Sequence, residues 1–118
     1  VIRAHAFVLE RSPAAFPTLI RAAHLAARGS SVAVVIGRPD DPGTQALLAR
    51  ARQVLLPEDA VIGIAPGEST PYGVDPAWLA GRVAEEGRAT AYLCHGTTCS
   101  LPVTRPEDVV SALERNFP

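Results

Sequence analysis

Two cysteines and a histidine sit close together in the stretch YLCHGTTCSLP, residues 92–102. Four residues separate Cys94 from Cys99, and His95 follows the first cysteine directly. Thiols at this spacing can do two kinds of chemistry. If HGTT forms a four-residue hairpin turn, the flanking cysteines lie opposite each other on antiparallel strands. In a non-hydrogen-bonded pair that separation suits a disulfide, which would act as a reversible clasp. The other kind is metal binding. Cys94, His95 and Cys99 offer three ligands, but structural zinc takes four, so His5, His24 or a remote carboxylate would have to complete the set. We expect a structural hairpin with two reduced thiols. Cys94 and Cys99 are the redox candidates. Cys94, His95 and Cys99 are weak metal candidates, and no metal or other cofactor is expected.

The loops that follow two apolar runs are the other places where chemistry could sit. GRPDDPGT (37–44) combines glycines with the start of a helix, the raw material of an anion site. Asp40 and Asp41 would repel a phosphate, however, and neither G-x-G-x-x-G nor a Walker-type lysine occurs. Asp41 followed by Pro42 reads instead as a helix N-cap and first helical position. The loop PGESTPYGVD (66–75) places the polar Glu68, Ser69, Thr70 and Tyr72 near Trp78, and whether it takes a small ligand is left open. No serine, histidine and carboxylate fall at spacings that mark a triad. His24 lies between the apolar stripe positions of a helix, as a surface residue would. No catalytic residue is assigned.

The elements that must position these residues follow from hydrophobic period and punctuation. Residues 1–11, VIRAHAFVLER, place Ile2, His5, Ala6 and Leu9 at helical spacing. Ser12 and Pro13 restart a helix as N-cap and first position, with Phe16, Leu19, Ile20, Ala23 and Ala27 on one stripe and Gly29 as the stop. SVAVVIG (31–37) is an unbroken, mostly β-branched run, the mark of a strand covered on both faces. A helix from about 43 to 56 carries Leu47, Leu48, Ala51, Val54 and Leu55, and Pro57 ends it. AVIGIA (60–65) is a second strand of the buried type. Asp75 and Pro76 open a short helix with Trp78, Leu79 and Val83 inward, ending at Gly87. ATAYLC (89–94) and CSLPV (99–103) are the third and fourth strands. Thr104 and Glu107 form a capping box for a last helix that buries Val109, Val110 and Leu113, with Phe117 as a further candidate.

Bulk properties bound the function. A chain of 118 residues is one domain, and its 47% hydrophobic and 19% charged content is that of a globular protein. A formal net charge of −1 without a basic block excludes nucleic acid as a partner, and no apolar run is long enough to span a membrane. All eleven basic residues are arginine, which we read as the codon bias of a GC-rich, bacterial genome. With no methionine in the chain, Val1 is not a natural start, and we expect a fragment of a longer protein. Two cysteines are too few for a disulfide-stapled secreted domain, so a cytoplasmic location is expected.

The order βαβαββα, preceded by one or two helices, implies a parallel start and an antiparallel hairpin, hence a mixed sheet with helices on its faces. That is the order of a thioredoxin-like fold, with a Rossmann-like open sheet as competitor. Strand adjacency separates them, because the first and third strands are neighbours in a thioredoxin. A working thioredoxin keeps its dithiol after the first strand, where this chain has GRPDDPGT and no cysteine. Nor does a proline precede the third strand; Arg88 and Ala89 stand there.

SVAVVIGRPDDPGTQALL, LLPEDAVIGIA and ATAYLCHGTTCSLPVTRPEDV resemble the C-terminal end of the YyaL-like, or spermatogenesis-associated protein 20, family of thioredoxin-domain proteins. The likeness covers about residues 12 to 115, and its most specific part is the aromatic strand followed by Cys-x-x-Pro and a threonine, with Cys99 and Pro102 matching and Cys94 matching only some members. In that family a thioredoxin-like domain precedes a helical domain resembling sugar epimerases and six-hairpin glycosidases, and this segment follows. The resemblance implies that residues 1–11 end the helical domain or link to it, that 12–118 form a single α/β domain, and that the thioredoxin motif and any sugar pocket lie upstream. It transfers no catalytic residue.

We therefore expect a non-catalytic accessory domain whose partners are the upstream domains of the same parent chain. The alternative is a redox- or metal-responsive module centred on Cys94 and Cys99. Pro102 cannot donate to a ladder, so 99–103 should be an edge strand, open to self-association, with Leu101 as its buried anchor.

Overall fold

The computed structural model describes residues 2–116. Its contacts divide the chain into two compact units, Val1–Ser30 and Ser31–Pro118.

The first unit is helical: a 3-10 turn at Arg3–His5, α1 (Ala6–Arg11), a second 3-10 turn at Pro13–Ala15, and α2 (Pro17–Arg28). Ser12 makes no side-chain cap, and Pro13 starts only a single turn. The reason is Pro17. A helix running on from Pro13 would meet a proline that has no N–H to give back and whose ring clashes with the preceding turn. The helix restarts with Pro17 at its first position. Gly29 stops it as expected, at φ 80° and with its N–H on the Leu25 carbonyl. No residue of α1 or α2 is buried. The division falls after Ser30, so α2 groups with residues 1–11.

The second unit is built on β1 (Ser31–Ile36), all six of whose residues are buried. α3 (Pro42–Val54) returns the chain to β2 (Ala60–Ile64), which lies parallel to β1 with Val32 opposite Ala60 and Ile36 opposite Ile64. β3 (Thr90–His95) runs antiparallel to β1 on its other side, from Ser31↔His95 to Ile36↔Thr90. β4 (Thr98–Cys99) pairs antiparallel with β3, and α4 (Asp108–Asn116) closes the chain. The sheet order is β2-β1-β3-β4. The first and third strands are neighbours, which is the thioredoxin-like arrangement of a mixed α/β sheet.

Strand alternation sorts the core into two clusters. Ala33, Val35, Ala91 and Leu93 meet Leu47, Leu48 and Ala51 of α3, Val109 and Ala112 of α4, and Val103. Gly63 lets α3 come close, since a Cβ there would sit 3.3 Å from both methyls of Leu48. On the other face Val32, Val34, Ile36, Ile64 and Tyr92 are covered by Trp78, Leu79 and Ala84.

Several expectations are corrected. No α-helix forms between β2 and β3, so the second helix of βαβαββα is absent; only 3-10 turns occur there, at Pro76–Trp78 and Glu85–Gly87. Gly81 (φ 72°) and Gly87 (φ 72°) break the segment, and Val83 is 58% exposed instead of inward. β2 is an edge strand and only Ile64 in it is buried. Thr104 and Glu107 make no capping box; Arg105 instead clamps Asp108 through Nε (2.8 Å) and a terminal nitrogen (3.1 Å).

Leu101 is the sharpest correction: it is 84% exposed, while Ser100 and Val103 are buried. Ser100 N–H donates to Leu93, and Val103 exchanges two bonds with Ala91. One residue, Tyr92, lies between those partners on β3, against two, Leu101 and Pro102, on the opposite side. The extra residue is a bulge. It inverts the alternation, so Val103 takes the inward place. Pro102 does lie at the edge, at the bulge where no N–H is needed.

Candidate functional site

Gly96 and Thr97 join β3 to β4, so the turn has two residues and not four. Gly96 has φ 56° and Thr97 has no positive φ, the pattern of a II′ hairpin with glycine at its first central position. The shorter turn adds His95↔Thr98 to the ladder and sets Cys94 opposite Cys99. That pair lies between hydrogen-bonded ones, the positions where antiparallel side chains come closest, and its Cα atoms are 3.9 Å apart. A disulfide joins the cysteines. The expectation of two reduced thiols is thereby corrected.

The two sulfurs differ in setting. Cys94 is 1% exposed, beneath the loop that crosses the sheet, while Cys99 is half-buried at the edge. One terminal nitrogen of Arg82 donates to both, reaching Cys94 Sγ at 3.6 Å and Cys99 Sγ more closely. The other donates to the carbonyls of Ala77 (3.0 Å) and Ala80 (3.1 Å), and the guanidinium carbon lies 6.0 Å from the centre of the Tyr92 ring. Arg82 Nε is buried without a hydrogen-bond partner, and no carboxylate pairs with Arg82 among the described residues. Asp75 caps the turn below through the Ala77 N–H (2.9 Å), and Arg82 N–H returns to Leu79 (3.1 Å), which fixes the arginine's approach.

His95 is not part of this cluster. It follows Cys94 in a strand, so its ring faces the opposite side of the sheet, where Nδ1 lies 2.9 Å from Ser31 Oγ. The structure thus separates the weak metal candidates: Cys94 and Cys99 share a bond, and His95 turns away. Among the described residues no group of three His, Cys, Asp or Glu side chains is placed to hold a metal ion. His5 and His24 are exposed residues of the first unit.

The corner where β1 meets α3 occupies the position of a thioredoxin's dithiol. A cleft of about 410 Å³ opens there, lined by Gly37, Arg38, Asp41, Pro66, Val83 and Ala89 among others. Its polar groups are already engaged. Asp41 Oδ2 accepts from the backbone of Thr44 (2.8 Å) and from its hydroxyl (3.2 Å), capping α3 as expected. Arg38 pairs with Asp40 through two bonds of 3.2 Å; its hydrogen bond and charge hold the Asp40 carboxyl below the usual range. A side chain at position 37 would collide with Thr44 Oγ1 and come within 3.1 Å of the Ala89 methyl, so position 37 itself has no room for one.

The loop candidates are not brought together. Glu68 accepts from the N–H of Ala65 (2.9 Å), Tyr72 stands fully in solvent, and Trp78 packs on the sheet. The residue that sequence reasoning passed over is Arg82. Its only signal is a charged side chain inside an otherwise apolar segment, LAGRVA (79–84).

No helix among the described residues is long and apolar enough to cross a membrane. No family model matches the chain, and no solved structure matches it. Over 99 residues, 83% of its length, the chain is 28% identical to spermatogenesis-associated protein 20 of Rattus norvegicus. The values are 28% for the Homo sapiens protein and 27% for that of Mus musculus, over the same share. The chain spans 12% of the length of each of these relatives, so the likeness concerns one segment of a much longer protein.

Proposed function

We propose that the chain is a non-catalytic accessory domain from the C-terminal end of a thioredoxin-domain-containing protein of the YyaL-like, spermatogenesis-associated protein 20 family, acting in the bacterial cytoplasm. Its partners are the upstream domains of the same parent chain. One observation carries this reading: the corner that a thioredoxin uses for catalysis is here consumed by structure. Asp41 caps α3, Arg38 and Asp40 satisfy each other, and Gly37 leaves no room for a side chain. The similarity to the curated relatives supports the family, and the exposed Leu101 beside the β4 edge offers apolar surface to a neighbour. The test is to assay the chain separately for thiol reductase, glycosidase and epimerase turnover. All three are expected at the level of a heat-killed control, and catalytic turnover above it overturns the reading.

The disulfide favours a second reading, a redox-responsive hairpin that changes state once per chain without turning over a substrate. Thiol counting after equilibration with dithiol–disulfide mixtures tests it. Reversible appearance of two free thiols per chain within the cytosolic range of potentials is expected; a pair that stays closed throughout ends it.

A further inference from the structure

The guanidinium of Arg82 is a half-buried cation with no carboxylate partner among the described residues, and it faces two sulfurs that carry no charge while they are bonded to each other. Removing a cation from water without a counter-charge is costly, and such groups are found paired. The oxidised hairpin offers Arg82 only weak sulfur acceptors, two backbone carbonyls and one aromatic face. Nε is left with nothing. Breaking the disulfide creates the missing anion where the guanidinium already points.

We infer that the Cys94–Cys99 hairpin is a thiol–disulfide exchange site for a dithiol reductant, in which Arg82 holds reduced Cys99 as a thiolate. This inference rests on the redox reading above and adds the residue that decides which sulfur carries the charge. Cys99 is that sulfur for two reasons. It makes the closer contact with Arg82, and it is half-buried, whereas Cys94 is 1% exposed and 3.6 Å from the same nitrogen, and deeper burial disfavours charge.

The exchange balances as follows. One thiolate of the reductant attacks Cys99 Sγ, the sulfur at the accessible edge. The bond to Cys94 breaks, and its electron pair leaves on Cys94 Sγ, which takes up a proton. The second thiolate of the reductant then attacks its own sulfur in the mixed disulfide and expels Cys99 as a thiolate facing Arg82. The reductant departs as a disulfide, having given up two electrons. Of its two protons, one is on Cys94 and one passes to solvent. Arg82 touches the reacting sulfurs and stabilises the leaving thiolate without exchanging a proton.

The test reads the ionisation of Cys99 through its alkylation by iodoacetamide as a function of pH in the fully reduced chain, with peptide mapping to separate the two cysteines. The midpoint for Cys99 is expected at least one pH unit below the ~8.5 of an unperturbed thiol. Arg82→Met should raise that midpoint by about a unit, which lowers the alkylation rate at neutral pH on the order of tenfold. Arg82→Lys should restore most of the shift, because charge and not hydrogen-bond geometry is responsible. If Arg82→Met fails to fold, Cys94→Ala keeps Arg82 and isolates Cys99; a midpoint at or above 8.5 in that variant overturns the inference alone, as does an unchanged midpoint in Arg82→Met. A hairpin that a dithiol cannot open removes the redox reading itself. The two failures are therefore told apart by whether thiols appear at all.

Discussion

On one face of the sheet, Ala33, Val35, Ala91 and Leu93 meet two α-helices; on the other, Val32, Val34, Ile36 and Tyr92 meet a segment whose only regular structure is single 3-10 turns. A helix satisfies its own backbone and can present a purely apolar stripe. A crossing loop cannot, and its carbonyls and N–H groups must find partners elsewhere. The sheet supplies them. The Tyr92 hydroxyl donates to the Val83 carbonyl (2.8 Å) and accepts from its N–H (3.3 Å), while Thr90 Oγ1 accepts from the Glu85 N–H (2.8 Å) and donates to Arg88 (2.9 Å). Arg82 serves the carbonyls of Ala77 and Ala80. The helix-covered face keeps its polar contacts, Ser31 with His95 and Ser100 with Leu93, to the end of the hairpin, and the loop-covered face gathers the cation and the disulfide.

The contrast can be broken at three places. Leu93 is fully buried beneath α3 and α4, so Leu93→Ala should cost about 2–5 kcal/mol by urea denaturation. A loss below about 1 kcal/mol would mean that the helix face is not the densely packed one. Tyr92→Phe keeps the ring and removes the hydroxyl that serves both backbone groups of Val83, so it should cost about 1–2 kcal/mol. Hydrogen exchange should accelerate at Val83 and stay unchanged at Leu47; equal protection at Val83 in both proteins would show that the loop is not held by the sheet's side chains. Leu101→Arg should be the smallest, within about 0.5 kcal/mol of the parent by the same urea denaturation, because the side chain is in water both in the folded and in the unfolded chain. A larger loss would put Leu101 inward and remove the bulge.

The legible parts of the fold are those where one local rule has no rival. β1 reads from SVAVVI because a short, largely β-branched run between Gly29 and Gly37 suits a strand covered on both faces, and α3 reads from Asp41-Pro42 at one end and Pro57 at the other. The failures are places where a distant partner decides. Trp78, Leu79 and Val83 have the spacing of a helix face, yet Gly81 interrupts it and Val83 binds Tyr92 through its backbone while its side chain faces out. Strict alternation puts Leu101 inward, and a bulge leaves no trace in period-two patterning until the partner strand is known. At the candidate site the cysteines were visible and their bond was not, because it depends on a turn of two residues where HGTT suggested four. Arg82 meets Cys99 from 17 positions away, a pairing that no local pattern encodes.

The central place of β1 has a consequence for how the chain is made. Its parallel partner arrives early: Ser31 reaches Asp59 across a separation of 28, and α3 fills the interval. Its antiparallel partner arrives late, since Ser31 meets His95 only across a separation of 64. More than doubling the loop adds about 0.7 kcal/mol of closure entropy, so equilibrium only weakly distinguishes the two pairings. Synthesis does, because it is directional and slow compared with hairpin closure. If β1, α3 and β2 pair during synthesis, the β1 edge that β3 will take stays bare until residues 90–95 are added, and the face of Val32, Val34 and Ile36 stays wet until Trp78, Leu79 and Ala84 cover it. Protection of that edge during elongation falls to chaperones or to the speed of translation through the crossing loop, and slow codons between Pro66 and Ala89 should depress soluble yield without altering the finished protein.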